Sequence, residues 1–167
     1  VINEGTRIIK QLRKMCDLKI MSLTDVIVTD GGSIDNSLDH QFLASMNIRA
    51  LLIKQDTGKL STQLRIAYAF ALLEGYEGII TIDGNNKDSV ESIPFFIDAL
   101  DHGFDYIQGS RYMKGGRAVN TPLIRYFGLR FVHAPLVSIA ARYWFTDTTN
   151  GFRAYSTRYL LFPDVQP

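Results

Sequence analysis

Short apolar runs alternate with longer segments of helical spacing along the sequence, and this alternation is the feature that most constrains the fold. Asn3 is the predicted cap of the first helix, and Pro94 fits the last helix only in its first turn. Alternating strands and helices predict an α/β fold: a mostly parallel sheet with helices on both faces. Strands are predicted at residues 26–29, 48–53, 78–82 and 106–108, and helices at 6–16, from 33 onward, at 60–75 and at 90–100.

Length and composition bound the class of protein. The 167 residues suffice for one domain, which we place at 1–167. Hydrophobic residues make up 46% and charged residues 21%, the proportions of a globular protein, so disordered, collagenous and coiled-coil classes are excluded. The sequence starts at Val1 without a signal-peptide pattern, and we expect a chain that is truncated at both ends.

Charge and cysteine content exclude further classes. Eighteen Lys and Arg against seventeen Asp and Glu leave a formal charge of +1, too small for broad binding to nucleic acid. Cys16 is the single cysteine, which excludes an intramolecular disulfide and a cysteine-based zinc site. The longest nearly uncharged apolar stretch, 131–141, is shorter than the roughly 20 residues that cross a bilayer. We therefore expect no transmembrane helix in these residues.

Polar clusters stand where the predicted strands end. In parallel α/β sheets, binding and catalysis gather beyond the carboxyl ends of the strands. We therefore expect these clusters to share one rim of the sheet. They are Asn3-Glu4, Asp30-Gly31-Gly32-Ser33, Asp83-Gly84-Asn85 and Gly109-Ser110-Arg111.

The cluster that begins at Asp30 combines a carboxylate with two glycines and a predicted helix start. A carboxylate can bind ribose or base, and Gly31 and Gly32 let the backbone approach a ligand closely. An ordinary strand-to-helix turn with Ser33 or Asp35 as its cap explains the same residues. Both interpretations stay open on this cluster alone.

The cluster that begins at Asp83 is rich in oxygen ligands. Asp83, the Asn85 amide and Asp88 can hold Mg²⁺ or Mn²⁺ beside a diphosphate, because hard cations prefer such ligands. A solvated turn rich in Asp and Asn is the alternative.

Basic side chains are the candidate phosphate contacts, since a guanidinium matches two phosphate oxygens. For each one a solvated surface charge is the alternative. The three histidines fit no ligand or nucleophile arrangement, and no catalytic triad, H-E-x-x-H or P-loop pattern is present. The candidates are Lys59, Arg111, Arg117, Arg125 and Arg130.

The order and spacing of these clusters resemble those of the family 2 glycosyltransferases of the GT-A fold. The similarity is to the branch that includes dolichol-phosphate mannose synthase and bacterial polyprenyl-phosphate glycosyltransferases, and it spans about residues 1 to 160. Six ordered motifs carry it: Asn3-Glu4, Asp30-Gly31-Gly32-Ser33-Ile34-Asp35, Gly58-Lys59, Ile82-Asp83-Gly84-Asn85, Gly109-Ser110-Arg111 and Asp147-Thr148-Thr149-Asn150-Gly151-Phe152-Arg153.

The resemblance implies a GT-A, Rossmann-like fold and a role for each matching residue. Asp147 would lie near the donor sugar as a base or an orienting group, and Asp83 would share the catalytic role. Asn85 replaces the family's second Asp, which implies a weakly held ion. The donor would be held by Asn3, Glu4, Asp30, Gly32, Lys59 and Asp83, the metal by Asp83, Asn85 and Asp88, and the acceptor phosphate by Arg111, Arg125 and Arg130.

The activity implied is inverting transfer of a sugar from a UDP- or GDP-sugar, with polyprenyl phosphate as the favoured acceptor. A lipid phosphate is already anionic and needs no general base, whereas a hydroxyl acceptor needs a carboxylate such as Asp147. The resemblance also implies a cytoplasmic protein at the inner face of the membrane, held there peripherally and serving cell envelope polysaccharide synthesis. The oligomeric state is left open.

Two other functions fit parts of the sequence. Asn85 and the expected truncation are compatible with a nucleotide-binding or scaffold domain of the same fold without turnover. The loop Gly5-Thr6-Arg7 resembles part of a sugar nucleotidyltransferase loop, although Asn3 replaces its first glycine.

Overall fold

The computed structural model describes residues 1–55, 60–113, 115–116 and 122–162. It is a mixed α/β structure with two small sheets. The strands are β1 (Ile27–Asp30), β2 (Ala50–Ile53), β3 (Gly78–Thr81), β4 (Tyr106–Gln108) and β5 (Arg153–Ser156). The α-helices are α1 (Thr6–Asp17), α2 (His40–Ser45), α3 (Leu60–Leu73), α4 (Ile93–Asp101), α5 (Leu123–Phe127), α6 (Ala134–Ala141) and α7 (Thr157–Leu160), with a π-helix at Gly128–His133 and 3-10 turns at Ile20–Ser22 and Val90–Ser92.

The N-terminal half pairs β1 and β2 in parallel and packs α1 and α2 near them. Asp30, the last residue of β1, is in register with Ile53. The apolar stripe of α1 is buried because its members recur at helical spacing and so share one face. One apolar core is formed by Ile8, Leu12 and Met15 of α1 with Val28, Leu43, Ile93 and Phe96.

The second sheet has β5 at its centre, antiparallel to both neighbours. Strands β3 and β4 therefore point the same way without touching. The α/β class predicted from the sequence is confirmed, but a mostly parallel sheet is not what forms, because β5 inserts between β3 and β4. No strand was predicted at Arg153–Ser156, since its residues include no apolar run.

Helices cover both faces of this sheet, as predicted. Ala154 is fully buried on one face, where its partners Ile80 and Ile107 join the core formed with α4. Successive strand residues point to opposite faces. Tyr155 therefore faces the other way, and its ring lies 5.7 Å from that of Tyr68 in α3.

Two local predictions at the N-terminus were wrong, both because side chains bond to backbone groups of loops. No helix starts at Ser33; α2 begins at His40, with Asp39 accepting a hydrogen bond from the Phe42 N–H at 3.0 Å. Helix α1 has no side-chain cap, because Asn3 binds the loop after β1 instead. Polar side chains that bond nearby backbone compete in this way with helix formation.

The segment from α5 to α6 runs as one helical stretch through the π-helix and exposes many large apolar side chains. Across the described residues, every helix falls short of the length and apolarity required to cross a membrane.

Candidate active site

The loop after β1 is organised by the buried carboxylate of Asp30. One oxygen accepts from the backbone N–H groups of Gly32 and Ser33, at 3.1 and 2.8 Å, and the other accepts from the Ser33 hydroxyl at 2.6 Å. Gly32 has a φ of 100°, a conformation that glycine adopts without strain. Asp30 therefore fixes the shape of this loop.

The Asn3-Glu4 turn docks directly on that loop. The Asn3 N–H donates to the Ser33 hydroxyl, and the Asn3 side-chain oxygen accepts from the Ile34 N–H, both at 2.9 Å. Glu4 is paired with Arg7 at 2.9 Å, and its buried Oε2 lacks a well-aligned hydrogen bond in the described structure. Two of the predicted donor-binding motifs thus form one surface.

Val1 connects this surface to the loop after β3. Its carbonyl accepts from the Gly31 N–H at 2.8 Å and from the buried Gln63 side chain at 2.9 Å. Its own side chain occupies the space beside Gly84, where a Cβ would lie 2.1 Å from Val1 Cγ1. The loops that carry Asp30 and Asp83 consequently lie on either side of Val1.

Three predicted donor-binding carboxylates lie near the backbone nitrogen of Val1. They are Asp30, Glu4 and Asp83, each close enough for its charge to act at that atom. The three carboxylates therefore lie at one edge of the structure.

The loop after β3 presents an exposed Asp83 and a half-buried Asp88. Burial raises the pKa of Asp88, the charge of Asp83 raises it further, and Arg111 opposes both. Asn85 accepts from the Lys87 N–H at 3.0 Å, so its side-chain oxygen stabilises the turn. Asp83 and Asp88 are thus two carboxylates close enough to repel each other.

The chemistry of these groups suits a metal only in part. Within the described ranges, no group of three or more His, Cys, Asp or Glu side chains is brought together as a metal site. Magnesium commonly uses one or two carboxylates and completes its shell with substrate phosphates and water. Asp83 and Asp88 fit such an open site, and a cation there would relieve their mutual repulsion.

Arg111 and Asp147 form the best-defined contact of the region. The Asp147 carboxylate has 0% side-chain exposure and accepts hydrogen bonds from Arg111 Nε at 2.7 Å and from Arg111 Nη2 at 2.9 Å. The Arg111 backbone N–H and the Thr149 N–H also donate to it, at 3.2 and 3.1 Å. Burial alone would raise the pKa of Asp147, but these bonds hold it below its ordinary value.

Arg111 keeps one edge for other partners. Its Nη2 group also donates to the Thr149 hydroxyl at 2.7 Å, so Nε and Nη2 are engaged by Asp147 and Thr149. None of the described residues forms a hydrogen bond with its Nη1 group. The side chain retains 24% exposure. A guanidinium held in this way can present Nη1 to an anion.

The residues around Asp147 tie it to two neighbouring elements. Thr146 donates to the Ser110 hydroxyl at 2.7 Å, and the hydroxyl of Thr148 lies 2.6 Å from Nδ1 of His133 in the π-helix. Gly151 borders Asp83, since a Cβ there would lie 3.4 Å from Asp83 Oδ1. This segment therefore joins the Arg111 loop to the Asp83 loop.

Other predicted residues are not brought into this cluster. Gly58, Lys59 and Arg117 lie outside the described residues, as does the side chain of Arg125. Arg130 is exposed on the π-helix. Among the described contacts, no hydrogen bond or ion pair joins Arg130 to Arg111 or Asp147.

Sequence reasoning missed Thr149 and Gln63 as site residues. Thr149 lies inside a motif that the resemblance had already singled out, so its position was a usable signal. Gln63 is a buried amide on α3 that holds the Val1 carbonyl. Nothing in its sequence surroundings distinguishes it from a surface glutamine.

Comparison with known proteins finds relatives at low identity. No family model matches the chain. A polyprenol monophosphomannose synthase of Mycolicibacterium smegmatis is 26% identical over 137 residues, covering 78% of this chain and 50% of that protein. An undecaprenyl-phosphate mannosyltransferase of Micrococcus luteus is 26% identical over 138 residues, covering 79% and 54%.

A third relative comes from an archaeon. A dolichyl-phosphate hexose transferase of Haloferax volcanii is 26% identical over 132 residues, covering 77% of this chain and 55% of that protein. The chain spans about half the length of the curated relatives it matches. These similarities support the resemblance to family 2 glycosyltransferases.

Proposed function

We propose that the chain is the GT-A-like part of an inverting glycosyltransferase that moves a sugar from a nucleotide-diphosphate sugar to polyprenyl phosphate. Three relatives at 26% identity are named for transfer to, or synthesis of, polyprenol, undecaprenyl or dolichyl phosphates. The structural observation that supports polyprenyl phosphate as the acceptor is the ion pair between Arg111 and Asp147.

The state of Asp147 favours an acceptor that needs no base. A general base must have a lone pair within reach of the proton it takes and a pKa near the working pH. The Asp147 carboxylate is buried, accepts from Arg111 and Thr149, and has a lowered pKa. A phosphate oxygen already carries the negative charge required for attack, so the reaction proceeds without such a base.

Arg111 is the proposed contact for the acceptor phosphate. Its Nη1 edge points away from Asp147 in the guanidinium plane, and the bond from Nε to Asp147 fixes that plane. Arginine donors aimed at an anion stabilise it most where they need no reorganisation. Arg125 and Arg130 remain proposed additional contacts from the sequence resemblance.

The donor is proposed to lie along the surface built by the Asp30 and Asp83 loops. The nucleoside would contact the Asn3, Glu4 and Asp30 region, and the diphosphate would reach toward Asp83. Gly32 keeps that surface open to a close backbone approach. Lys59 remains the proposed contact for the leaving diphosphate.

Asp83 and Asp88 would hold a Mg²⁺ or Mn²⁺ ion that enters with the donor. Such an ion would neutralise the negative charge that develops on the leaving diphosphate. Asn85 adds no charge, and its amide is engaged in the turn, so the ion is proposed to be weakly held without the donor.

The reaction follows from these positions. The acceptor phosphate oxygen, oriented by Arg111, forms a bond to the anomeric carbon. The bond from that carbon to the donor diphosphate breaks on the opposite face, and the electron pair leaves with the nucleoside diphosphate. Asp147 keeps Arg111 oriented throughout and exchanges no proton. We propose that the reaction takes place at the cytoplasmic face of a membrane, with the protein associated peripherally.

Donor binding tests the proposal at its first step. Isothermal titration calorimetry with UDP- and GDP-sugars, each with Mn²⁺, should detect binding of one nucleotide class. Absence of heat with both classes, for a chain shown to be folded by circular dichroism, contradicts the proposal.

A nucleotide-binding or scaffold module without turnover is the second candidate, favoured by the engaged Asn85 amide and by the lack of a closed metal group within the described residues. Measuring transfer alongside binding in the full-length protein separates the two functions. Tight donor binding with no transfer to any polyprenyl phosphate would identify the protein as a nucleotide-binding or scaffold module.

A further inference from the structure

Arg153 ends the motif that begins at Asp147, and the proposed reaction gives it no role. It is the first residue of β5, in register with Thr81 of β3 and Gln108 of β4. Its side chain is half-buried. In the part of the chain that the structure describes, Arg153 forms no ion pair with a carboxylate, and its donors bind backbone carbonyls instead.

The Arg153 guanidinium binds the loop that precedes β5. Its Nε donates to the Asn150 carbonyl at 2.9 Å, and its Nη2 donates to the Thr148 carbonyl at 3.4 Å. These two carbonyls flank Thr149. Because a guanidinium is planar, two of its donors fix the directions of both carbonyls together. Arg153 therefore holds the backbone on each side of Thr149.

That stretch of backbone carries the groups that orient Arg111. The Thr149 hydroxyl accepts from Arg111 Nη2 at 2.7 Å, and the Thr149 N–H donates to Asp147 at 3.1 Å. No hydrogen bond joins Arg153 to Arg111 among the residues that the structure describes. An effect of Arg153 on Arg111 must therefore pass through the loop.

Gln108 gives the same loop a weaker support. Its Nε2 donates to the Asn150 carbonyl at 3.4 Å, and its Oε1 accepts from the Tyr106 hydroxyl at 2.5 Å. The bond from Arg153 to this carbonyl is shorter and is made by a charged donor, and both properties strengthen a hydrogen bond. Arg153 is thus the main partner of the Asn150 carbonyl.

The donor side of the loop is held by a different contact. The Thr81 hydroxyl donates to the Gly151 carbonyl at 3.1 Å, and Gly151 borders Asp83. This contact does not involve the Arg153 guanidinium. Loss of the guanidinium should therefore disturb Thr149 and leave the border with Asp83 in place.

We propose that Arg153 is a positioning residue for the acceptor phosphate. It holds the backbone on both sides of Thr149, which keeps the Asp147 carboxylate against Arg111. The plane in which Nη1 of Arg111 meets the phosphate is fixed in this way. The inference rests on the proposed function, because it assigns Arg153 to the phosphate end of the same site.

Steady-state transfer by the full-length protein separates this role from a purely structural one. Arg153→Lys keeps the charge but loses the planar fork. It should raise the KM for polyprenyl phosphate by about tenfold and change the KM for the nucleotide sugar less than about twofold. A purely structural role would reduce the fraction of active protein, which lowers kcat and leaves both KM values unchanged. That result, or an equal rise in both KM values, would overturn the proposal.

Arg158 provides the matched control. It too binds a backbone carbonyl, that of Gly103 at 3.3 Å, and it pairs with Asp105 at 2.8 Å. It lies in α7, beyond the loop that carries Asp147. Arg158→Lys should change both KM values less than about twofold, since its contacts are exposed. An acceptor KM that rises equally in Arg158→Lys would overturn the assignment to Arg153.

A double-mutant cycle tests the route through Thr149. Thr149→Val removes the hydroxyl that binds Arg111 and keeps the size of the side chain. If Arg153 acts through this residue, Arg153→Lys should raise the acceptor KM by about threefold or less in the Thr149→Val background. Two effects that multiply independently would overturn the route.

Hydrogen exchange measures the loop without donor or acceptor, so its outcome is distinct from that of transfer. The N–H groups of Thr149 and Arg111 both donate to Asp147. They should exchange at least about fivefold faster in Arg153→Lys than in the wild type or in Arg158→Lys. Unchanged exchange would overturn the positioning role while leaving glycosyl transfer in place. Faster exchange together with no transfer by the wild type would contradict the proposed function and support the hold of Arg153 on the loop.

Arg153→Gln is the second variant if Arg153→Lys does not fold. It keeps an amide donor for the Asn150 carbonyl, loses the fork, and should show the same difference between the two KM values. Loss of the fold in both variants, measured by circular dichroism, would overturn the proposal, because Arg153 would then support the sheet as a whole.

Discussion

Arg111 and Asp147, thirty-six positions apart in the sequence, form a bidentate ion pair in which Nε and Nη2 each donate to a different carboxylate oxygen. The carboxylate is shielded from water and the guanidinium is not fully so. Asp147 therefore positions Arg111, and Arg111 can contact a ligand. A general base at position 147 would need its carboxylate to be the group that is open to the ligand.

Loss of the charge at Asp147 should destabilise the fold. Asp147→Asn weakens two bonds from Arg111 and leaves a half-buried guanidinium without its counter-charge. We expect the free energy of unfolding to fall by about 2 kcal/mol, measured by urea denaturation at pH 7. Glu91→Gln, which breaks the exposed pair with Lys14, is the control and should cost about 0.5 kcal/mol or less. Equal losses of unfolding free energy in the two variants would mean that the buried pair stabilises the fold no more than the exposed pair does.

The pH dependence of this effect has a definite sign. Because the folded-state pKa of Asp147 is lowered, its stabilising contribution is fully present above the unfolded pKa of about 3.8 and is lost as the pH falls through the folded value. The stability difference between wild type and Asp147→Asn should therefore shrink only below about pH 4. A difference that vanishes near pH 6 would show that the pKa is raised.

Asp88 should behave in the opposite way. Its folded-state pKa is raised by burial and by Asp83, so its ionisation opposes folding above about pH 4 and has no such effect at lower pH. Asp88→Asn should raise the free energy of unfolding at pH 7 by up to about 1 kcal/mol and should weaken metal-dependent donor binding. Thermal melts at pH 7 and pH 3 measure the first effect, and calorimetry measures the second. If Asp88→Asn is less stable than the wild type at pH 7, the repulsion between Asp83 and Asp88 is contradicted.

Much of the fold follows from local sequence patterns. Helix α1, strand β4 and the placement of Pro94 in the first turn of α4 agree with prediction because apolar spacing and proline geometry are local properties. Strand β5 could not be predicted, since its Arg153 and Tyr155 are stabilised by pairing with β3 and β4 rather than by their own pattern. Tertiary pairing decides such strands.

Gly84 should tolerate no side chain. A Cβ there would lie 2.1 Å from Val1 Cγ1 and 3.2 Å from Ile8 Cδ1. Gly84→Ala should therefore displace Val1 or the Asp83 loop and cost about 1–3 kcal/mol, as overpacked sites do. Gly128→Ala is the control, because nothing lies within 4 Å of its added carbon. Chemical denaturation of both variants measures this change in the free energy of unfolding. An unchanged stability of Gly84→Ala would contradict the close contact between Val1 and the Asp83 loop.

Asp83 should be needed for metal-dependent donor binding. It should not be needed for folding, because its side chain is exposed. Asp83→Ala should abolish the Mn²⁺-dependent part of nucleotide-sugar binding in calorimetry. Asp98→Ala, which removes a carboxylate that is 73% exposed on α4, should leave it unchanged. Equal donor binding by Asp83→Ala and wild type would identify the loop as a simple turn.

The candidate site was predicted from motif order, and its internal bonding was not. The sequence resemblance selected Arg111 and Asp147 separately, one for an acceptor and one as a base or orienting group. Their pairing depends on how the loops after β4 and before β5 approach each other, which no local pattern encodes. The Asn3 and Asp30 motifs illustrate the same limit, because their contact runs through Ser33 and Ile34 across thirty residues.

The most direct test of the account compares two acceptors across pH. Sugar transfer by the full-length protein is measured with a polyprenyl phosphate and with the corresponding alcohol, for the wild type and Asp147→Asn, between about pH 6 and about pH 9. We predict transfer to the phosphate alone, and a rate for Asp147→Asn that is lower by about tenfold to hundredfold and in the same ratio at every pH, because a misplaced Arg111 orients the acceptor poorly. Transfer to the alcohol, or an acid limb of the wild-type profile that Asp147→Asn removes, would show that Asp147 is a base and would contradict the account.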